Sequence, residues 1–278
     1  MQHETDQVLL DRARAGDVAA LGQLLERHQA QIYRYGMKMC GDPADAQDVL
    51  QETLLAMARG VRDFRGASSI STWLYTIARS FCIKKRRRRK FAPAEERSLD
   101  TEVATDASRL AAPTETPEEA LAGKEIEQAL ARALAALEPM YREVLVLRDM
   151  EGLTAPEVAE VLGLSVQAVK SRLHRARLAV RAHVAPLLGV PLSAAVTPRG
   201  PCPDVLTLFS QHLEDEIGPD VCGEMQRHLS GCSRCSSACD SLKRTLALCH
   251  AAGAAAPMPP SVQASVKAAL RDFLGERP

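Results

Sequence analysis

The run His228-Leu229-Ser230-Gly231-Cys232-Ser233-Arg234-Cys235 sets an imidazole and two thiols at His-x3-Cys-x2-Cys spacing. His228 and Cys232 lie about one helical turn apart, and a Cys-x2-Cys loop lets two thiolates reach one ion without strain. Cys202 supplies a fourth ligand and completes a tetrahedral Cys3His set, for which zinc is the expected ion. Such a metal either only lets a small domain fold or also carries a signal. Cys222, Cys239 and Cys249 exceed a four-ligand site. A second metal, ligand exchange, thiol oxidation and ordinary packing are all open readings for them.

A second cluster is cationic. In the stretch from Gly152 to Arg177, Thr154 and Glu157 have the spacing of a capping box, and Pro156 sits where a first helical turn needs no N–H. Val158, Val161 and Leu162 share one face, and Ala159 lets two helices cross closely. Gly163-Leu164-Ser165 reads as the turn, with Ser165 capping a second helix. Val169 and Leu173 then point inward, leaving Lys170, Ser171, His174, Arg175 and Arg177 on the outer side. This is a helix-turn-helix whose basic second helix suits a DNA major groove.

Further cations form the unbroken run Lys84-Lys85-Arg86-Arg87-Arg88-Arg89-Lys90, which can bind phosphates by counterion release. A localisation signal or a solvated tail is the bland alternative. Asp45, Asp48, Gln51 and Glu52 make a polar, acidic helix face. No acid/base pair or nucleophile arrangement stands out, so the chain is not expected to be an enzyme.

The elements that must hold these groups are helices. Aromatic residues are only 4% of 278, and no alternating valine- or isoleucine-rich run suggests a strand, which predicts an all-α fold. Leu21, Leu24, Leu25, His28, Ile32, Tyr35 and Met39 recur at helical spacing, with Cys40 read as a small buried hydrophobe. Gly41-Asp42-Pro43 ends that helix. The next runs from about Ala44 to Arg59 and buries Ala46, Val49, Leu50, Thr53, Leu54 and Met57. After a loop from Phe64, a helix capped at Ser71 or Thr72 buries Trp73 or Leu74, with Ile77 and Phe81. Ile126, Ala129, Leu130, Ala133, Leu134 and Leu137 face one way, and Pro139 opens a helix with Met140, Val144 and Leu147. A last face, Val262, Val266, Ala269, Leu270, Phe273 and Leu274, follows a cap at Ser261 and is expected to dock on the preceding domains.

Formal net charge is +0, so local patches rather than a global field would attract nucleic acid. The N-terminus is polar, no signal peptide is evident, and no apolar run is long enough to cross a bilayer. A soluble, cytoplasmic protein with reduced thiols is expected, with no membrane partner.

The order of parts resembles one family. Leu24-Leu25-Glu26-Arg27-His28, Asp45 to Thr53, Phe64-Arg65-Gly66 with Thr72 to Arg79, and Val169 to Arg177 resemble the extracytoplasmic-function (ECF) group of bacterial sigma factors. The resemblance implies two small helical domains joined by a linker. They are a region 2 bundle over 1–90 and a region 4 helix-turn-helix over 120–185, separated by a flexible acidic linker at 91–119. It implies that region 2 binds core RNA polymerase and melts the −10 element, while region 4 reads the −35 element. Asp45, Asp48, Gln51 and Glu52 would meet the β′ clamp helices, with the β subunit a further contact. The loop from Phe64 and Arg65 would hold a flipped base, and Lys84, Lys85, Arg86 and Arg87 would grip upstream DNA. Lys170, Ser171, His174 and Arg175 would contact the −35 element, with Arg172 and Arg177 positioning. Ser80 stands where the family usually has Asn, and Lys84 where it has an acid, so the −10 preference is expected to differ.

After a proline-rich linker at 186–201, the segment holding Cys202, Leu213-Glu214-Asp215-Glu216-Ile217 and His228 to Cys235 resembles the zinc-binding anti-sigma domain. That domain is usually a separate protein that holds a sigma factor inactive. Here it would occupy 202–250, followed by a tail at 251–278, and would regulate the sigma domains by intramolecular contact. Its sign is not set by the sequence. Two alternatives are a helix-turn-helix regulator acting without polymerase and a sigma factor whose cysteines sense copper, cadmium or zinc.

Overall fold

Short polar side chains start the helices. Thr5 accepts the Val8 N–H, Asp17 accepts those of Ala19 and Ala20, and Asp42 accepts that of Asp45 ahead of Pro43. Each such cap contributes about 1 kcal/mol. In the computed structural model, which describes residues 4–66, 68–91, 117–188, 202–254 and 258–275, the described residues form twelve α-helices and no strand. The expected all-α fold is what forms. The two predicted linkers fall largely outside the described residues, as do Ala67 and the side chains of Arg89, Lys90 and Leu274. The chain divides into two compact units.

The first unit holds 1–107 and 256–278, with the short stretch 160–162. Its helices are α1 (Asp6–Arg14), α2 (Val18–Cys40), α3 (Pro43–Gly60), α4 (Ile70–Phe91) and, from the far end of the chain, α12 (Pro260–Gly275). α1 has no counterpart in the sequence reading; Arg27 of α2 reaches its Asp6. The stripe predicted on α2 is buried, and so is the predicted apolar face of α3. Gly36 allows the close crossing of α2 and α3, since a Cβ there would come within 3.1 Å of the Ala46 Cα. Tyr35 and Tyr75 meet edge to face across α2 and α4, with centroids 5.4 Å apart.

Two expectations for this unit are corrected. Of the two candidates on α4, Leu74 is the fully buried one, and Trp73 is half-buried, stacked on Phe64 at 4.5 Å; Ile77 and Phe81, expected to be buried, are half-buried. The reason is register: Leu74, Ala78 and Cys82 form the inward stripe, and Trp73 lies one residue off it. Cys40 is not simply packed; it is half-buried with its sulfur 3.5 Å from that of Cys82. The expected docking of the last helix is what forms in this unit. α12 packs on α3 with Val262, Val266 and Leu270 buried. Gln47 donates to Ser265 at 3.1 Å, Lys267 meets Glu26 at 3.1 Å, and the Arg59 guanidinium lies over the Phe273 ring. The exposed ion pair adds little, so apolar burial holds the helix.

The second unit holds 108–159 and 163–255. Its first part comprises α5 (Pro117–Ala136), α6 (Pro139–Leu145), α7 (Ala155–Leu162) and α8 (Val166–Val184). The capping box forms as read, with the Thr154 N–H donating to Glu157 Oε2 at 2.9 Å and the Glu157 N–H to Thr154 Oγ1 at 3.4 Å. Ser165 caps α8, and Gly163 takes the left-handed turn at φ 67°. Between α6 and α7, Val146–Met150 widens into a π turn, which no spacing in the sequence announced.

The C-terminal part packs α9 (Val205–His212), α10 (Pro219–Gly231) and α11 (Ser233–Ala254) around Val205, Leu206, Phe209, Met225, Ala238 and Leu242. Cys239 is buried in this core, where burial pushes its thiol up to about 11, and Cys249 is buried too. α11 runs on against the π turn, where Gly253 lies directly over Met150. A Cβ on Gly253 would overlap the Met150 carbonyl oxygen. Backbone cannot yield as a side chain end can. Gly253→Val is therefore expected to lift the end of α11 off the π turn at about 3 kcal/mol, the upper range for overpacking. The check is faster amide exchange at Val146–Met150, with α5–α8 otherwise protected as before.

Candidate DNA-reading helix and metal centre

α8 presents its cations where the sequence placed them, with one correction. Ser171 and Arg175 are exposed; Arg172, Lys170 and His174 are half-buried. Arg177, expected on the outer side, has a side chain only 2% exposed. It makes two bonds to Asp149 of the π turn, at 2.8 and 2.7 Å, donates to Glu214 at 2.8 Å and reaches Ser210 at 3.2 Å. The physical reason is that two buried carboxylates compensate its desolvation. Burial alone would lower the Arg177 pKa, but Asp149 and Glu214 outweigh it and hold the guanidinium above its ordinary value.

Glu214 belongs to the turn after α9, and the same turn engages more of α8. The Lys170 ammonium donates to the Glu214 carbonyl at 2.8 Å and lies 3.6 Å from Glu216. Asp215 between them adopts φ 55°, which turns its two neighbours toward Lys170. Arg148 donates to Glu214 at 3.1 Å. Thr207 of α9 lies 3.2 Å from His174 Nε2, and burial lowers the pKa of that imidazole. Further along, Arg181 donates to Ser241 of α11, both buried, and Leu178 packs against the C-terminal core. Three of the six residues predicted to meet the −35 element thus touch the C-terminal domain: Lys170, His174 and Arg177. Arg175 lies 3.4 Å from the Tyr141 hydroxyl.

The sequence reading missed Glu214, Glu216, Asp149, Arg148, Thr207 and Ser241. The acidic triplet 214–216 was visible, but nothing local tied it to cations more than 30 residues away.

The four residues expected to bind a metal lie together. Cys202 precedes α9, His228 sits in the last turn of α10, Cys232 joins α10 to α11, and Cys235 lies in the first turn of α11. Their ligand atoms all lie within 4.8 Å of one another. The Cys202 and Cys232 sulfurs are 4.0 Å apart, near the ~3.8 Å expected for two sulfurs 2.3 Å from one tetrahedral ion. His228 Nε2 is buried with no hydrogen-bond partner among the described residues, as a donor set shaped for an ion would be. The Cys235 N–H and thiol lower the Cys232 pKa, while burial and the neighbouring sulfurs push Cys235 up to about 12. A cation would replace those protons. Cys222 stands apart, 3.7 Å from His212 Nδ1.

Chelation is expected to cost this domain its fold, because its core is small. Amide protection across α9 and α10 should be lost on metal removal, while α5–α7 stay protected. Retained protection after confirmed metal loss would make the ion dispensable.

In region 2 the predicted polymerase and upstream-DNA residues share one surface. Lys85 of α4 bridges Asp48 and Asp45 of α3, the latter at 3.4 Å. Burial would lower its pKa, but the two carboxylates hold it above its ordinary value. Asp48, Gln51, Glu52, Lys84, Lys85 and Arg88 line a cavity of about 330 Å3. Lys84 lies 4.9 Å over the Phe81 ring; Arg86, Arg87, Arg65 and Ser80 are exposed, and the Ser80 hydroxyl donates to the Ile77 carbonyl. Phe64 is held by the stack on Trp73.

Comparison with known proteins agrees with this layout. Residues 24–92 match Sigma-70 region 2, residues 127–180 match Sigma-70 region 4, and residues 202–236 match a family described as "Putative zinc-finger". The chain is 31% identical over 192 residues to RNA polymerase sigma-H factor of Pseudomonas aeruginosa, covering 68% of this chain and 98% of that one. It is 30% identical over 177 residues to ECF RNA polymerase sigma factor SigW of Bacillus subtilis, covering 62% and 92%. A solved structure of CnrH in complex with the cytosolic domain of CnrY is similar with a TM-score of 0.48 and 27% identity, over 64% of this chain and 96% of that one. Among the described residues no helix is long and apolar enough to cross a membrane. With regions 2 and 4 both present and in order, this chain belongs to the ECF RNA polymerase sigma factors, which are transcription initiation factors, and it carries a zinc-finger-family segment behind them.

Proposed function

We propose that this ECF sigma factor is held inactive by its own C-terminal segment. The observation that carries this is the buried network in which Glu214 and its turn engage Arg177, Arg148 and Lys170. Carboxylates and a carbonyl stand where phosphates and base edges would compete for the same donors. The α9–α11 domain, 202–254, thus masks the DNA-reading face of region 4. In the other unit α12 lies on α3, the helix that carries Asp45, Asp48, Gln51 and Glu52, the residues proposed to meet the β′ clamp helices.

The active form is a two-domain initiation factor, with region 2 over about 1–90 and region 4 over about 120–185. Lys170, Ser171, Arg172, His174, Arg175 and Arg177 act at the −35 element. Phe64, Arg65, Ser80, Lys84, Lys85, Arg86 and Arg87 act at and upstream of the −10 element. Zinc is the ion proposed at Cys202, His228, Cys232 and Cys235, where its role is to keep the masking domain folded. The polymerase supplies the chemistry; this chain supplies recognition, in the cytoplasm where polymerase works. A regulator acting without polymerase is disfavoured, since it would have no use for a complete region 2.

The test is transcription by core polymerase of the same organism on promoters selected in vitro by the chain ending at Leu188. The truncated chain should start transcripts and the full chain should be nearly silent. Equal output from both would remove the inhibitory reading and keep the family.

A further inference from the structure

We propose that Cys40 and Cys82 are a peroxide-sensitive thiol pair that forms a reversible disulfide within region 2. This does not rest on the masking of region 4, and it involves none of the four metal ligands.

The two sulfurs lie 3.5 Å apart although 42 residues separate them in sequence. A disulfide needs ~2.0 Å, so the gap is within reach of side-chain rotation. Both thiols sit on ordered helices. Cys40 is the last residue of α2, and the turn behind it is fixed by Gly41 at φ 71°, whose N–H donates to the Met37 carbonyl. Asp42 then caps α3. Cys82 lies on the inward stripe of α4, one turn beyond the fully buried Ala78. The pair is unequal. Cys40 is half-buried and within reach of a small oxidant, whereas Cys82 is 6% exposed and shielded from it. An accessible thiol beside a shielded one is the arrangement of an attacking and a resolving cysteine.

The chemistry balances with hydrogen peroxide as oxidant. The Cys40 thiolate attacks one peroxide oxygen, the O–O bond breaks, and the leaving hydroxide takes up a proton as water, giving a sulfenic acid. The Cys82 thiolate then attacks that sulfur. The S–S bond forms, the S–O bond breaks, and a second water leaves. Overall two thiols and one peroxide give one disulfide and two waters. A dithiol reductant reverses it.

The bond would tie the corner between α2 and α3 to the segment of α4 that carries Ser80, Lys84 and Lys85. Lys85 already bridges Asp45 and Asp48 across this corner. The proposed polymerase face and the proposed upstream-DNA cations would become one covalently fixed surface.

The test uses the full metal-loaded chain, treated with hydrogen peroxide, quenched with N-ethylmaleimide and digested with trypsin without reduction. The expected product is the peptide Met39–Arg59 linked to Ser80–Lys84, lighter than their sum by two hydrogens and separated by dithiothreitol. Cys40→Ser and Cys82→Ser should each abolish the link, and in C82S the Cys40 peptide should carry a dimedone adduct. Circular dichroism during oxidation should keep the helical signal, which excludes a link formed only in unfolded chain. Recovery of both peptides as maleimide adducts, at doses that fully oxidise Cys222, would overturn the proposal. A link from either cysteine to the C-terminal cluster, or one formed only after loss of helix, would overturn it equally.

Discussion

Glu214→Ala should raise the affinity of the full chain for −35 duplex DNA by about two orders of magnitude or more. In the masked state the Glu214 side chain is 4% exposed and is shared by Arg177 and Arg148. Removing one member of a buried ion network typically costs about 3–5 kcal/mol, because the opposite charges are left desolvated. The cost falls on the masked state alone. When the domain lifts away, Arg148 regains water, and Arg177 keeps the Asp149 carboxylate of its own region 4. At about 1.4 kcal/mol per tenfold, the masked-to-open ratio shifts by roughly two to three decades. Apparent DNA affinity follows as far as masking limits it, since only the open fraction binds. Fluorescence anisotropy on a selected duplex reads the change. Affinity within threefold of the parent chain would show that this network does not restrain region 4.

Val266→Asp should raise binding of core polymerase and leave duplex affinity unchanged. Val266 is 1% exposed in the face that α12 lays on α3. A carboxylate placed in that apolar face costs several kcal/mol to bury, more than a lone 16-residue helix can offset. The helix should leave α3 and uncover Gln47 and its neighbours. An increase of at least tenfold in core affinity is expected, by mass action on the open fraction. The two variants together separate the two contacts: one acts on DNA, the other on polymerase. If Val266→Asp instead changed DNA affinity alone, α12 would not be guarding region 2.

How far the sequence could be read depended on the range of each interaction. The capping box at Thr154 and Glu157, the Ser165 cap and the stripes of α2 and α3 are set by residues three or four apart, and they form as read. The metal cluster was legible for the same reason in three of its ligands, and Cys202 followed from the chemistry of a fourth position. Arg177 lies four residues beyond Leu173, on the flank of the inward stripe, and its charge alone suggested the outer side; Asp149 and Glu214 on other elements supply the partners that let it stay buried. The π turn escaped because the widening at Val146–Met150 leaves no compositional trace; Gly253 lets α11 pack directly over Met150. Spacing alone left Trp73 and Leu74 as equal candidates, and only the packing of α4 against its neighbours shows that the leucine points inward. Cys40 could be paired with Cys82 only once α2 and α4 were seen side by side. Among the surplus cysteines, Cys239 and Cys249 are buried, and Cys222 beside His212 does not complete a second ligand set among the described residues.

The central claim is that residues beyond 188 keep the DNA-reading face of this sigma factor from its promoter. It is tested most directly by titrating a selected −35 duplex with the full metal-loaded chain and with the chain ending at Leu188. The account predicts at least tenfold tighter binding by the shorter chain. Equal affinity for both, with each confirmed folded by its helical signal, would contradict it.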